Sequence, residues 1–483
     1  MKMLVIGMDG VCLDTFDRGW TPFIKSLLDK GEKLHLKEDL ISRGWSEVVT
    51  GKHAIETGAL YEGPTGRGSL DWTESFKIAD VPGLGEKVKP LWQVLNERGY
   101  KVGVMNVPTT FPAPKVDGFL VSGGGGGGPT SQDVAPEQCY PSSLSARLNG
   151  MGYILDERRP TLLFEKGLYA PADFFARLRE KNDKRTQAFI ELASEFGIDF
   201  GFIVYKSSTV TTETMLISEL EKLSIGKGEV NHDFIKQSEI FYRELDENVR
   251  SLVEKYNEAE LLLISDHSMV INRYSVNANE FLVEIGYQVK DKRRRGLMDV
   301  IKAYKHLVPY SLKEKIKKNK KIKNSYQSMV PFNPKETKAF SQSFSSGQHG
   351  IYINDEKRFG GLVKEDYINE VAQEIVSKFN SHPVSIEHGL VAKIKPKSNS
   401  AVAYKFPDIV LDCPDGYFTN NKFREFLVET EIPDEALDLH DVKKNHRTAV
   451  KGHTPLAVNV NDQWSAEGSN DLTLVYQHIL SKF

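Results

Sequence analysis

Five short apolar runs punctuate the chain: 3–7 (MLVIG), 101–106 (KVGVMN), 200–205 (FGFIVY), 260–265 (ELLLIS) and 456–460 (LAVNV). Val, Ile and Leu dominate them, and polar residues do not alternate with apolar ones. That is how parallel strands covered on both faces read. Helical patterns lie between the runs. Residues 87–98 run up to Gly99, a residue suited to the left-handed turn that closes a helix. Residues 233–257 space Ile235, Ile240, Phe241, Leu245, Val249 and Val253 mostly three to five apart, so one apolar stripe follows one long helix. This helix feeds directly into the run at 260. Strands alternating with helices predict an α/β fold, a mainly parallel central sheet flanked by helices on both faces.

Two segments break the pattern. Residues 123–128 are six consecutive glycines, read either as a surface loop or as backbone that a ligand can approach closely. Arg293, Arg294 and Arg295, followed by seven lysines between Lys313 and Lys323, mark a basic excursion. A solvated helical face explains such a charge run, and contact with a polyanion through 313–323 is the alternative. The expected organisation is one catalytic domain over 1–483. It carries a lid or cap insertion at 140–195 and a basic helical insertion at 288–330.

Composition narrows the class. The chain has 483 residues, with Lys+Arg 63 against Asp+Glu 66 and a net charge of −3. That balance argues against sequence-specific nucleic-acid binding, for which a clearly basic chain is expected. Hydrophobic residues make up 40%, enough for a sizeable core. Three cysteines build neither a disulfide framework nor a zinc finger. The start of the chain has no signal-peptide pattern, and no uncharged apolar run reaches about 18 residues. A cytoplasmic protein is expected, with its oligomeric state open.

Chemistry in an open parallel sheet belongs beyond the carboxyl ends of its strands. Asp9 follows the first run, Asp266 and His267 follow the run at 260, and His453 precedes the last. Lys206, Thr209 and Glu213 follow the run at 200. Carboxylates and imidazoles converging on one rim make a divalent-metal site, with Zn²⁺ the first expectation and Mn²⁺ the second. Val5 to Thr15 is also similar to the haloacid-dehalogenase signature. That signature needs an aspartate nucleophile where this chain has Gly7, so the reading fails.

These residues carry a broader resemblance. Val5-Ile6-Gly7-Met8-Asp9-Gly10 resembles the opening, metal-binding strand of the type I phosphodiesterase/nucleotide pyrophosphatase branch of the alkaline phosphatase superfamily. Ser42-Arg43-Gly44-Trp45-Ser46, running to Thr50-Gly51-Lys52, resembles its nucleophile segment. Asn106-Val107-Pro108 with Val116 to Gly123, and Ile264-Ser265-Asp266-His267-Ser268-Met269, resemble two further stretches. Gly350 to Asn354, Pro407-Asp408-Ile409 and Gly452-His453 follow in the family's order. The resemblance implies an alkaline-phosphatase-like fold and two metals. It implies a hydroxyl nucleophile that forms a covalent phospho-enzyme, later hydrolysed. Asp9, Asp266 and His267 would hold the metal beside the nucleophile, and His453 the other.

The departures set the open questions. The family nucleophile falls on Ile41, and Ser42 stands one position away. The family's Asp-x-x-x-His falls on Thr209 and Glu213, and its later His on Thr57. Glu213 remains a usable ligand for a hard cation, so one or two metals per chain are expected. His232, His349 and His446 are substitute donors, of which His349, in a Gly-Gln-His-Gly run, is the most suggestive. Arg43, with Lys52 and Lys206 as weaker candidates, would offset phosphoryl charge. Thr209 and His349 are further candidates for substrate contact. Cys139-Tyr140-Pro141-Ser142-Ser143 lacks the Arg of a sulfatase motif. The expected activity is hydrolysis of a phosphodiester or pyrophosphate bond in a phosphorylated or nucleotide-like small molecule. The alternatives are a catalytically degenerate relative that binds a metal and a phosphorylated ligand as a sensor, and a phosphotransferase.

Overall fold

The computed structural model describes residues 1–124, 133–156, 170–206, 215–291, 332–342, 350–420, 425–432, 434, 449–465, 468 and 470–483. Its contacts group into two compact units. The first comprises Met1–Ala54, Phe76–Arg273 and Thr430–Phe483; the second comprises Ile55–Ser75 and Tyr274–Glu429. The sequence expectation was one domain.

The first unit is built on a sheet of eight strands among the described residues. Glu260–Ile264, Met3–Met8, Phe200–Tyr205, Val102–Met105 and Gly118–Val121 lie side by side and parallel. The apolar runs at 3, 101, 200 and 260 are therefore the strands they predict. The run at 456–460 departs from expectation: Ala457–Asn459 is antiparallel to Glu260–Ile264. Apolar continuity reports burial on two faces but not direction, so the run could not distinguish the two. Glu32–Lys33 pairs antiparallel outside Ala457–Asn459 and forms that edge, and Cys139–Tyr140 closes the other, also antiparallel.

Alternate residues of the central strand point to opposite faces. Leu4, Ile6 and Met8 join a core with Phe174, Phe175 and Phe189 of helix Pro171–Phe196 and Phe241 and Leu245 of helix His232–Lys255. The other face meets helix Gly44–Thr50, where a Cβ on Gly7 would lie 2.6 Å from the Trp45 ring. Helices thus cover both faces. Residues 140–195, expected as a lid, supply Leu144, Leu148, Phe174 and Phe189 to this core in their described parts. Of the basic stretch, 292–330 lies outside the described residues. Among the described residues, no helix is long and apolar enough to cross a membrane. All three cysteines are buried and free.

The second unit holds an antiparallel sheet in the order Ala339–Phe340, Gly350–Ile353, Ile409–Asp412, Val391–Ile394. Helix Ile368–Ser381 packs Ile375 and Phe379 into its core beside Ile351, Ile353 and Leu411. Trp72, Phe332, Phe340, Tyr352 and Phe359 form a second, aromatic cluster.

Candidate metal and nucleophile site

The parallel register sets Gly7 beside Ile264, so the residues that follow the two strands leave at one rim. One ligand atom each from Asp9, Asp266 and His267 lies within 4.8 Å of the others, and all three residues are buried. Gly10 turns the chain with φ +60° and donates its N–H to Asp266 Oδ1 at 3.3 Å. Trp45 Nε1 donates to Asp9 Oδ2 at 2.9 Å. His267 Nδ1 lies 2.8 Å from the carbonyl of Ser268. That contact requires a proton on Nδ1 and puts the lone pair on Nε2, which is 3.6 Å from Asp266 Oδ2. Burial, and then the charge of Asp9, push the Asp266 carboxyl up to about 8. Two buried carboxylates this close favour a cation between them. With an imidazole lone pair added, the donor set fits a divalent metal.

His453 approaches from a different ladder. Strands Ser268–Ile271 and Ala449–Gly452 pair antiparallel with Ser268 opposite Gly452. His267 and His453 therefore leave the same end of the ladder. His453 Nδ1 lies 2.7 Å from the Glu38 carbonyl, so its lone pair also falls on Nε2. The histidine is buried but is not a member of the three-residue cluster. Glu213, Thr209 and His349 lie outside the described residues.

The Ser42–Lys52 segment lies close against this rim, an approach that two glycines permit. A Cβ on Gly44 would sit 2.7 Å from the Asp266 carbonyl oxygen, and one on Gly7 would strike Trp45. Ser42 and Arg43 precede the helix, with the half-buried Arg43 at its N-cap. Ile41 is fully buried, and Ser42 is buried with its hydroxyl engaged. Asp39 organises the turn: its Oδ1 accepts the N–H groups of Ile41 and Ser42, both at 2.8 Å. Its Oδ2 accepts Ser42 Oγ and His53 Nε2, both at 3.0 Å. His53 Nε2 is also 3.2 Å from Ser42 Oγ.

Electrostatics follow from these contacts. Burial alone would raise the Asp39 carboxyl, but the hydrogen bond and charge of His53 outweigh it, and it lies below its ordinary value. Burial opposes the charged form of His53, yet Asp39 holds its pKa above the ordinary value. Beneath them, burial pushes Glu38 up to about 8 and Glu47 well above its usual range.

Sequence reasoning did not single out Asp39 or His53. The only local signal was an Asp three residues before a Ser, the spacing of a side-chain-capped turn. Of the substitute histidines considered, His232 is exposed at the start of its helix, and His349 and His446 lie outside the described residues. Lys52 is half-buried just beyond the helix. Lys206 Nζ lies 3.7 Å from Asp156 Oδ2, and Lys181 Nζ approaches the other oxygen at 4.0 Å.

A mostly parallel sheet with carboxylates and imidazoles beyond its strand ends defines a class, the alkaline-phosphatase-like hydrolases. Within it, the chain belongs to the type I phosphodiesterase/nucleotide pyrophosphatase family, whose model matches residues 3–432. Members of this family are metal-dependent phosphoryl hydrolases. The chain is similar to the phosphonoacetate hydrolase of Sinorhizobium meliloti, solved with phosphonoformate, at 10% identity and TM-score 0.54. That match covers 100% of this chain and 96% of that chain, and it shows a shared fold. It is also similar to murine ectonucleotide pyrophosphatase/phosphodiesterase 5, at 12% identity and TM-score 0.42, covering 100% of this chain and 94% of that one. No curated protein matches the sequence.

Proposed function

We propose that the chain hydrolyses a phosphodiester or pyrophosphate bond in a phosphorylated or nucleotide-like small molecule, with Ser42 as nucleophile. The observation that carries this reading is the buried Asp9–Asp266–His267 cluster, against which Gly44 packs two residues after Ser42. Zinc, or manganese in its place, is the proposed metal. When bound, it lowers the pKa of a hydroxyl and offsets charge on phosphoryl oxygens. His453 and Glu213 are the proposed ligands for a second ion.

The rest of the chemistry falls to the chain's own atoms. Asp39 Oδ2 accepts the Ser42 hydroxyl hydrogen and holds Oγ in one position. The Ser42 proton passes to the Asp39–His53 pair as Oγ bonds to phosphorus and the bond to the leaving oxygen breaks, that oxygen departing as its anion. Water attacks the same phosphorus in a second step and sheds one proton to solvent, and Oγ leaves with the proton returned from the Asp39–His53 pair. Arg43 balances charge on the phosphoryl group. Lys52, Lys206, Thr209 and His349 are proposed for weaker substrate contacts, and the cytoplasm as the location.

Hydrolysis of bis-p-nitrophenyl phosphate with Zn²⁺ or Mn²⁺ tests this directly. Ser42→Ala and Asp266→Asn should each lose on the order of 10³-fold in kcat. Equal rates in wild type and both variants would overturn the assignment. The full burial of Ile41, at the family's nucleophile position, favours a second reading, a degenerate relative that binds metal without turnover. Wild type that takes up metal and hydrolyses nothing would establish it.

A further inference from the structure

The second unit contains a cavity of about 540 Å³. Its walls come from the 55–67, 355–372 and 394–408 parts of that unit, which hold none of the metal-cluster residues. The size lies within the range of small-molecule sites. Charge accounting separates its structural groups from its spare ones. Arg358 is buried and paired with Asp355 and Asp408. Lys395 Nζ donates to the other Asp408 oxygen at 2.9 Å. Two cations therefore balance two carboxylates. Lys357 pairs with Glu365 at 3.0 Å.

Two cations on the lining are left over, Arg67 and Lys397. Neither has a carboxylate partner among the described residues. Arg67 lies over the ring of Tyr404, 4.5 Å from its centroid, which holds the guanidinium in place without consuming its charge. Arg358 Nη1 is buried, with no hydrogen-bond partner among the described residues. Ser398 and Asn399, beside Lys397 on the wall, add neutral polar groups.

We propose that this cavity binds an organic phosphate monoester. The spare charge is two, which matches a phosphate dianion and exceeds a single carboxylate. The volume exceeds a bare phosphate, and Tyr404 supplies an aromatic wall for the organic part. The site is distinct from the one that carries the proposed hydrolysis and does not depend on that reading.

Isothermal titration of the full-length, metal-loaded protein tests it, with orthophosphate and adenosine monophosphate as probes. Besides any binding at the proposed metal site, which Asp266→Asn identifies, wild type should show a further class of sites that the Arg67→Ala/Lys397→Ala double variant lacks or binds at least about tenfold more weakly. The same variant should keep its melting temperature and its turnover of bis-p-nitrophenyl phosphate, because both side chains are exposed and outside the metal site. Lys397→Glu alone should weaken the same class. Tighter binding of adenosine monophosphate than of orthophosphate supports the organic ligand. Equal affinities of the two probes, or isotherms unchanged by the substitutions, overturn the proposal.

Discussion

Trp45 reaches Asp9 because position 7 has no side chain to fill the space between them. Gly44 plays the same part beside Asp266, where the obstructing atom is a backbone carbonyl oxygen that has little freedom to move. Gly44→Ala should therefore displace the helix start from the metal cluster. The expected cost is about 1–3 kcal/mol of stability, with a loss of up to about 10²-fold in kcat/KM. Denaturant unfolding and steady-state kinetics on the same preparation check both. Asp39 and His53 set a pH window. The lowered Asp39 carboxyl contributes stability above its ordinary 3.8, lost as pH falls through the folded value. The raised His53 contributes below its ordinary 6.5, lost as pH rises through the folded value. The stability difference between wild type and His53→Ala should be largest between these two pH values and shrink on either side. A difference flat from pH 4 to pH 8 would contradict the ion pair.

At the scale of elements, the parallel strands were legible because burial on both faces leaves an unbroken apolar run. The helix at His232–Lys255 was legible because its apolar stripe repeats with the helical period. The direction of Ala457–Asn459 was not, since hydrogen-bond polarity leaves no trace in side-chain type. The same limit hid the buried network of the second unit. Asp408 precedes a strand, and its Oδ2 also accepts the Ile353 N–H at 2.8 Å. Burial would raise its carboxyl, but Arg358 and then Lys395 hold it below the ordinary value. Arg358→Ala removes one partner and leaves carboxylates buried, which should cost about 3–5 kcal/mol. Arg358→Met combined with Asp408→Leu should cost less, because one of the two carboxylates that lose Arg358 is then removed and only Asp355 stays buried without it. Thermal denaturation of the single and double variants separates the two cases.

At the scale of the whole molecule, the proposed ligands Asp9, Asp266 and His267 would also make metal binding a stability device. Asp9 and Asp266 are buried together, and each charge raises the cost of the other. A cation that binds only the folded chain offsets that cost. Metal at a hundredfold excess over its Kd adds about 2.7 kcal/mol. Chelation should lower the melting temperature, and Zn²⁺ or Mn²⁺ should restore it. Asp266→Asn should flatten the response. A melting temperature indifferent to chelator in wild type would contradict the proposed ligands.

By itself the sequence determined which residues end the strands, and so that Asp9, Asp266 and His267 stand at strand termini. Local patterning suffices for that, because strand burial and helix period are written in neighbouring residues. It also carried the family resemblance along nearly the whole chain. Only the tertiary structure decided which of those residues meet. It brings Asp9 and Asp266 together from opposite ends of more than half the chain. It seats Asp39 and His53 on Ser42, and it separates the spare charges of Arg67 and Lys397 from the paired ones around Arg358. Contacts of that kind depend on how elements pack and which glycines let them approach, and no local pattern encodes that geometry.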